Sequence, residues 1–127
     1  MQSLPPYARM LDITAVRDGD GRLTFSMPFG NKVLGRPGFL HGGAIGGLLE
    51  VAGLGTLYDI VRDDSVRAKP INLTVSYLRG GVDHPTFAEA EIVRLGKRIA
   101  NVEVQAWQAD RTKLIATARM NLLLRRG

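Results

Sequence analysis

Apolar and polar residues alternate with a period of two along four stretches in the second half of the chain. In "INLTVSYL" (71–78), Ile71, Leu73, Val75 and Tyr77 alternate with Asn72, Thr74 and Ser76. "TFAEAEIVRL" (86–95) sets Phe87, Glu89, Glu91 and Val93 against Ala88, Ala90 and Ile92. "IANVEVQAWQ" (99–108) sets Ala100, Val102, Val104 and Ala106 against Asn101, Glu103, Gln105 and Trp107. "LIATARMNLLL" (114–124) sets Leu114, Ala116, Ala118, Met120 and Leu122 against Thr117, Arg119 and Asn121. Alternation of this kind predicts strands that bury one face. The links "LGKR" and "ADRTK" are short, so the last strands are predicted to be antiparallel neighbours. Upstream, "ITAV" and "RLTFSMP" flank the turn "RDGDG" and predict a hairpin between Thr14 and Pro28. A Gly- and Pro-punctuated loop, "FGNKVLGRPGFLH", follows, and then an apolar block without proline from Gly42 to about Val61, too long for a strand and read as a helix. "RDDSVRAKP" (62–70) reads as a polar link. One helix and about six strands predict an α+β fold, a curved antiparallel sheet against a central helix, in a single domain spanning 1–127.

The predicted helix is unusual in its glycines. Each glycine inside a helix costs ~1 kcal/mol against alanine, yet the block holds Gly43, Gly46, Gly47, Gly53 and Gly55. At about 100° per residue, Ile45, Leu48, Leu49, Ala52 and Thr56 share one side, and Gly43, Gly46, Gly47, Glu50, Leu54 and Leu57 the other. A helix apolar all round is a buried one. Glu50 lies seven, four and three residues after Gly43, Gly46 and Gly47, so it is expected to project into space cleared of side chains. One reading is that the glycines allow tight packing and Glu50 reaches solvent. The other is that Glu50 is a general base or nucleophile and that the unpaired N–H groups of Gly42 and Gly43, at the positive end of the helix dipole, bind an oxyanion. Gly42 and Glu50 are eight residues apart, ~12 Å along the axis. One carbonyl is out of reach of both on the same helix, so a shared site requires the glutamate of a second chain in a two-fold dimer.

Composition narrows the function classes. Of 127 residues, 45% are apolar and 23% charged, as in an ordinary globular protein. Seventeen basic against twelve acidic residues give a formal charge of +5, which suits an anionic partner such as nucleic acid or a phosphorylated small molecule. Only 6% are aromatic and none interleave with basic residues, which argues against a base-stacking platform. There is no cysteine, so no disulfide, thiolate nucleophile or cysteine metal site, and with two histidines no metal site is expected. "MQSLPPYARM" lacks the features of a signal peptide and no apolar run suggests a membrane span, so a cytoplasmic protein without membrane partners is expected.

"GFLHGG" (38–43), an acid nine residues after His41, and a later strand ending "YLRGG" (77–81) resemble the PaaI-like acyl-CoA thioesterases of the hotdog fold. The resemblance covers nearly the whole chain. It implies a helix wrapped by the sheet, pairing into homodimers or dimers of dimers, a coenzyme A thioester as substrate (acyl- or aryl-CoA), sites across the dimer interface, and no cofactor. By the same resemblance Gly42 polarises the thioester carbonyl through its N–H, Glu50 acts as base or nucleophile, and His41 orders the turn as helix cap or loop anchor. Gly43 would leave room for substrate.

Two positions depart from the family pattern. Relatives often carry Asn or Gln six residues before the histidine, where this chain has Gly35; Asn31 is the nearby substitute. One subgroup holds water with Ser or Thr just before the strand after the helix, where this chain has Pro70. Both departures favour an alternative class, a hotdog protein that binds acyl-CoA or a similar ligand without hydrolysing it. A hotdog dehydratase fits less well, because Arg36 rather than His precedes the "PG" turn. A nucleic-acid-binding module would explain the charge but not the glycine-flanked glutamate. Arg79, Lys97 and Arg98 are the residues expected to meet CoA phosphates, against the plain reading of solvated turns; His84 reads as a loop residue and "LLLRRG" as a strand end with an exposed tail.

Overall fold

A computed structural model describes residues 4–127; residues 1–3 of the opening "MQSLPPYARM" lie outside the described residues. A short helix α1 (Pro6–Met10) precedes the hairpin β1 (Thr14–Arg17) and β2 (Leu23–Met27). The long helix α2 (Gly42–Val61) follows, and then β3 (Val66–Tyr77), β4 (Thr86–Leu95), β5 (Ile99–Trp107) and β6 (Leu114–Arg126). All six strands join one antiparallel sheet in the order β1-β2-β4-β5-β6-β3. The sheet's inner face wraps α2, the hotdog arrangement expected from the sequence.

α2 has no polar stripe because it is enclosed. Leu48, Leu49 and Leu57 are fully buried against Phe25 and Met27 of β2, Val102 and Val104 of β5, and Met120 and Leu122 of β6. Each such side chain contributes about 1.5–3 kcal/mol by leaving water. By length and composition α2 could cross a membrane; here it is the core of the domain. Two of its glycines serve this packing. A Cβ on Gly53 would run into the Met120 thioether, and one on Gly55 would stand 2.7 Å from the Phe25 ring.

The structure departs from the sequence reading at two elements. α1, unread in the sequence, buries Ala8 and lays Tyr7 on α2. The link "RDDSVRAKP" is strand from Val66 onward, so Pro70 lies inside β3 rather than before it. β3 is an edge strand, and its pairing with β6 slips between Pro70 and Asn72. An edge strand and a break in register are the settings where a residue without an N–H is tolerated. The other edge, β1, has four residues; β3 has twelve, with Ile71 and Tyr77 more than half exposed.

An ion pair ties the hairpin to the end of α2. Arg17 donates from both terminal nitrogens to Asp59, at 2.7 and 3.0 Å. Asp59 is almost buried in the last turn, where the helix dipole opposes its charge. The Arg17 hydrogen bonds nonetheless hold its carboxyl below the ordinary carboxylate range. A depressed folded-state pKa stabilises the fold above the unfolded value, and that stabilisation is lost as pH falls through the folded one. Asp59→Asn should therefore lower the urea midpoint at pH 7, and the gap to wild type should shrink as the pH drops below about 4. A constant gap from pH 7 to pH 3 would show that the pair does not act through this ionisation.

Candidate active site

The segment before α2 is fixed by backbone contacts. Gly35 N–H donates to Phe39 O and Phe39 N–H to Arg36 O, closing a tight turn in which Gly38 takes a φ of +82°. Leu40 N–H donates to Gly81 O at 3.0 Å, and His41 N–H to Val33 O at 2.7 Å. A Cβ on Gly81 would strike the Leu40 side chain, and one on Gly80 would meet the Phe39 ring at 3.3 Å. The "GFLHGG" and "YLRGG" segments are thus packed on each other. Gln108, buried at the end of β5, holds the following loop through Val82 N–H, Val82 O and His84 O, which leaves His84 a loop residue.

His41 is the N-cap of α2: its Nδ1 accepts from Gly43 N–H at 2.8 Å. Its carbonyl accepts from Ala44 N–H and Ile45 N–H at 3.0 and 3.2 Å. Of the first four N–H groups of the helix, only that of Gly42 has no partner among the described residues. The sequence predicts a free Gly43 N–H as well; in the structure the His41 imidazole occupies it. A Cβ on Gly43 would lie 2.9 Å from the His41 ring, so glycine there is what admits the cap.

Tyr77, the last residue of β3, donates its hydroxyl to Gly42 O at 2.8 Å. Its ring lies 3.4 Å from where a Cβ on Gly42 would be, and its hydroxyl 3.6 Å from one on Gly46. In the sequence Tyr77 stands only as one position of its strand's alternation. The available signal was a phenol at an inward-facing position of a strand end, next to the loop that carries the helix cap.

Glu50 is half-buried one turn beyond Gly46 and Gly47. Its carboxylate has no hydrogen bond or ion pair among the described residues. A helical side chain leans toward the N-terminus, which puts it over those glycines. The space is not cleared as expected: Tyr7 of α1 covers Gly47, 2.8 Å from a Cβ there, and the Tyr77 hydroxyl stands by Gly46. Glycine lets two tyrosines come close to the helix beside Glu50.

The remaining site residues are scattered. Asn31 sits in a single 3-10 turn (Asn31–Val33) and lines a shallow pocket with Leu11, Asp12 and Phe29, with no side-chain hydrogen bond to His41, Gly42 or Glu50. Gly35 packs on the backbone of His41, where a Cβ would lie 3.1 Å from its Cα. Lys97 and Arg98 form the β4–β5 turn, where Lys97 O accepts from the Arg126 side chain. Arg79 follows β3 at the opposite end of the sheet, its N–H on Ile115 O. The nine residues of β5 separate the two ends by roughly 26 Å. Within one chain Arg79 therefore lies apart from Lys97 and Arg98.

A helix sheathed by one antiparallel sheet, with its capped N-terminus open at a strand end, defines the chain as a hotdog protein. Residues 34–121 match the family model of the acyl-CoA thioesterase N-terminal domain, and the chain belongs to this thioesterase family. The resemblance read from its motifs is thereby borne out. Solved structures agree. A Chromobacterium violaceum protein is 36% identical, with 93% of this chain and 82% of that one covered and a TM-score of 0.77. A Bacillus halodurans protein, crystallised with CoA, is 25% identical over 97% and 80%, with a TM-score of 0.86. A phenylacetic acid degradation-related protein from Ralstonia eutropha shares the fold at 23% identity over 96% and 92%, with a TM-score of 0.83. A search of curated proteins gives no significant match.

Proposed function

We propose that the protein hydrolyses a coenzyme A thioester, acyl- or aryl-CoA, to the acid and free CoA. The observation that carries this is the Gly42 N–H. Among the described residues it is the one first-turn donor of α2 without a partner, at the positive end of a twenty-residue helix. A donor so placed suits the charge that develops on a thioester oxygen in the transition state. Glu50 supplies the base or nucleophile. The axial gap of ~12 Å to Gly42 assigns it to the other chain of a dimer.

The edge strand supports that assembly. β3 is a twelve-residue strand whose outer side is unpaired, with apolar side chains beside it, an edge that a soluble protein covers. α2 starts near Tyr77 and ends near Ala68, whose N–H and O lie by the Tyr58 hydroxyl, so it runs against β3. Pairing β3 antiparallel with its copy sets the start of one α2 beside the later turns of the other. It also sets Arg79 of one chain at the end of the sheet that carries Lys97 and Arg98 of the other. CoA phosphates would then meet basic residues from both chains, as the surplus of +5 suggests.

The test is release of free thiol by the purified protein from a panel of acyl- and aryl-CoAs; turnover of none would reject hydrolysis. A second reading, binding without hydrolysis, is favoured by Gly35, whose place against the His41 backbone leaves no amide side chain to orient substrate or water. Tight binding of acyl-CoA without turnover would select it. For the basic residues, Ala at Arg79, Lys97 and Arg98 should together raise KM about tenfold with kcat little changed, and added salt should narrow the difference. Unchanged KM at low ionic strength would return them to solvated turns.

A further inference from the structure

We propose that Tyr77 is a positioning residue for the Gly42 donor. The inference rests on the hydrolase reading above, and it concerns one peptide group. The unit joining Gly42 and Gly43 is held at both ends by side chains from outside the helix. Its oxygen accepts from the Tyr77 hydroxyl at 2.8 Å, and its N–H is bound by His41 Nδ1 at 2.8 Å.

That peptide adjoins the one carrying the free N–H. A first turn ordinarily frays, because its amides lack intrahelical partners. Here the cap and the phenol fix the plane on one side of Gly42. The His41 carbonyl, bound by Ala44 and Ile45 N–H, fixes the plane on the other. The Gly42 N–H is left with one direction in which to point. Oxyanion stabilisation depends on such orientation being set before reaction, since donors that must reorganise lose their advantage.

Tyr77 reaches this peptide from a different element. It ends β3, an edge strand of the sheet, and within one chain its ring is more than half exposed, so the ring contributes little to the domain's own core. Its hydroxyl already gives its proton to Gly42 O, which makes it a support for the donor rather than a second donor to substrate.

Tyr77→Phe removes one oxygen and keeps the ring. The expected result is a fall in kcat of about tenfold with KM within twofold, because a misaimed donor is felt in the transition state more than in binding. The melting temperature should drop by no more than about 4 °C. In the same variant the amide resonances of Gly42 and Gly43 should shift and the Gly43 amide, bound to His41, should exchange faster, with no substrate present. Wild-type kcat together with unmoved Gly42 and Gly43 resonances would overturn the proposal. So would a kcat loss with an unmoved Gly42 amide, which would place the hydroxyl in direct contact with substrate. If wild-type protein turns over no thioester, the hydrolase reading falls by itself, while the amide shifts still report whether Tyr77 sets the donor.

Discussion

Glu50→Gln should reduce thioester hydrolysis by two orders of magnitude or more, about what a positioned acid–base group supplies. The substitution keeps the volume and hydrogen-bonding shape of the side chain and removes only the charge that accepts a proton or attacks a carbonyl. Glu50 is half-buried on a helix that carries no other charge before Asp59, with no basic partner among the described residues to neutralise it. A neutral amide is easier to hold there than a carboxylate, so the variant should fold and melt at or above the wild-type temperature. CoA binding should persist, because the basic residues offered to the phosphates lie at the ends of the sheet. Glu50→Asp should lose less than Glu50→Gln, since the charge remains on a shorter arm. Single-turnover thiol release, CoA titration and thermal melts on the same preparations separate these effects. Wild-type turnover by Glu50→Gln would sink the mechanism and leave ligand binding or another catalytic group in its place.

Much of this frame is legible in the residues. The bounds of α2, Gly42–Val61, match the apolar run without proline, because a helix buried on all sides needs no polar stripe to mark it. β4, β5 and β6 match their alternation, because one face of each packs on α2 while the other meets solvent. The first five residues of β3 escaped because Arg67, Lys69 and Pro70 read as a link; on an edge strand a proline breaks nothing and charged side chains stand free in water. Helix α1 escaped because five residues opened by consecutive prolines carry no period. Arg79 precedes β4 and Lys97 and Arg98 follow it, so this ten-residue strand sets them at opposite ends of the sheet, a separation already contained in the predicted strand 86–95. At the site, the His41 cap follows from its place before the first glycine of the helix. That it would consume the Gly43 N–H, and that Tyr77 would bind the Gly42 carbonyl, are contacts across the fold.

Whether each site draws on two chains can be settled by mixing two inactive variants. Gly42→Pro is the partner for Glu50→Gln because the helix accepts it. Gly42 is the first residue after the His41 cap, the position where proline is favoured and its missing N–H breaks no helical bond. His41 has φ −70° and ψ 133°, the extended conformation that a following proline requires. A Cβ at Gly42 meets the Tyr77 ring at 3.4 Å, ordinary van der Waals contact. The variant thus deletes the proposed oxyanion donor and little else, and its homodimer should lose about 100-fold or more in kcat. In a dimer of one Glu50→Gln chain and one Gly42→Pro chain, one site receives both lesions and the other receives neither. Equal amounts of the two, unfolded and refolded together, give heterodimers as half of the population, each with one intact site. The mixture should regain about a quarter of wild-type activity, and light scattering should show a dimer or larger species throughout. If Gly42 and Glu50 of the same chain served one site, every site in every combination would carry a lesion and the mixture would stay inactive. An inactive mixture whose two variants both fold and associate would therefore overturn the shared site, and so would a folded, active monomer.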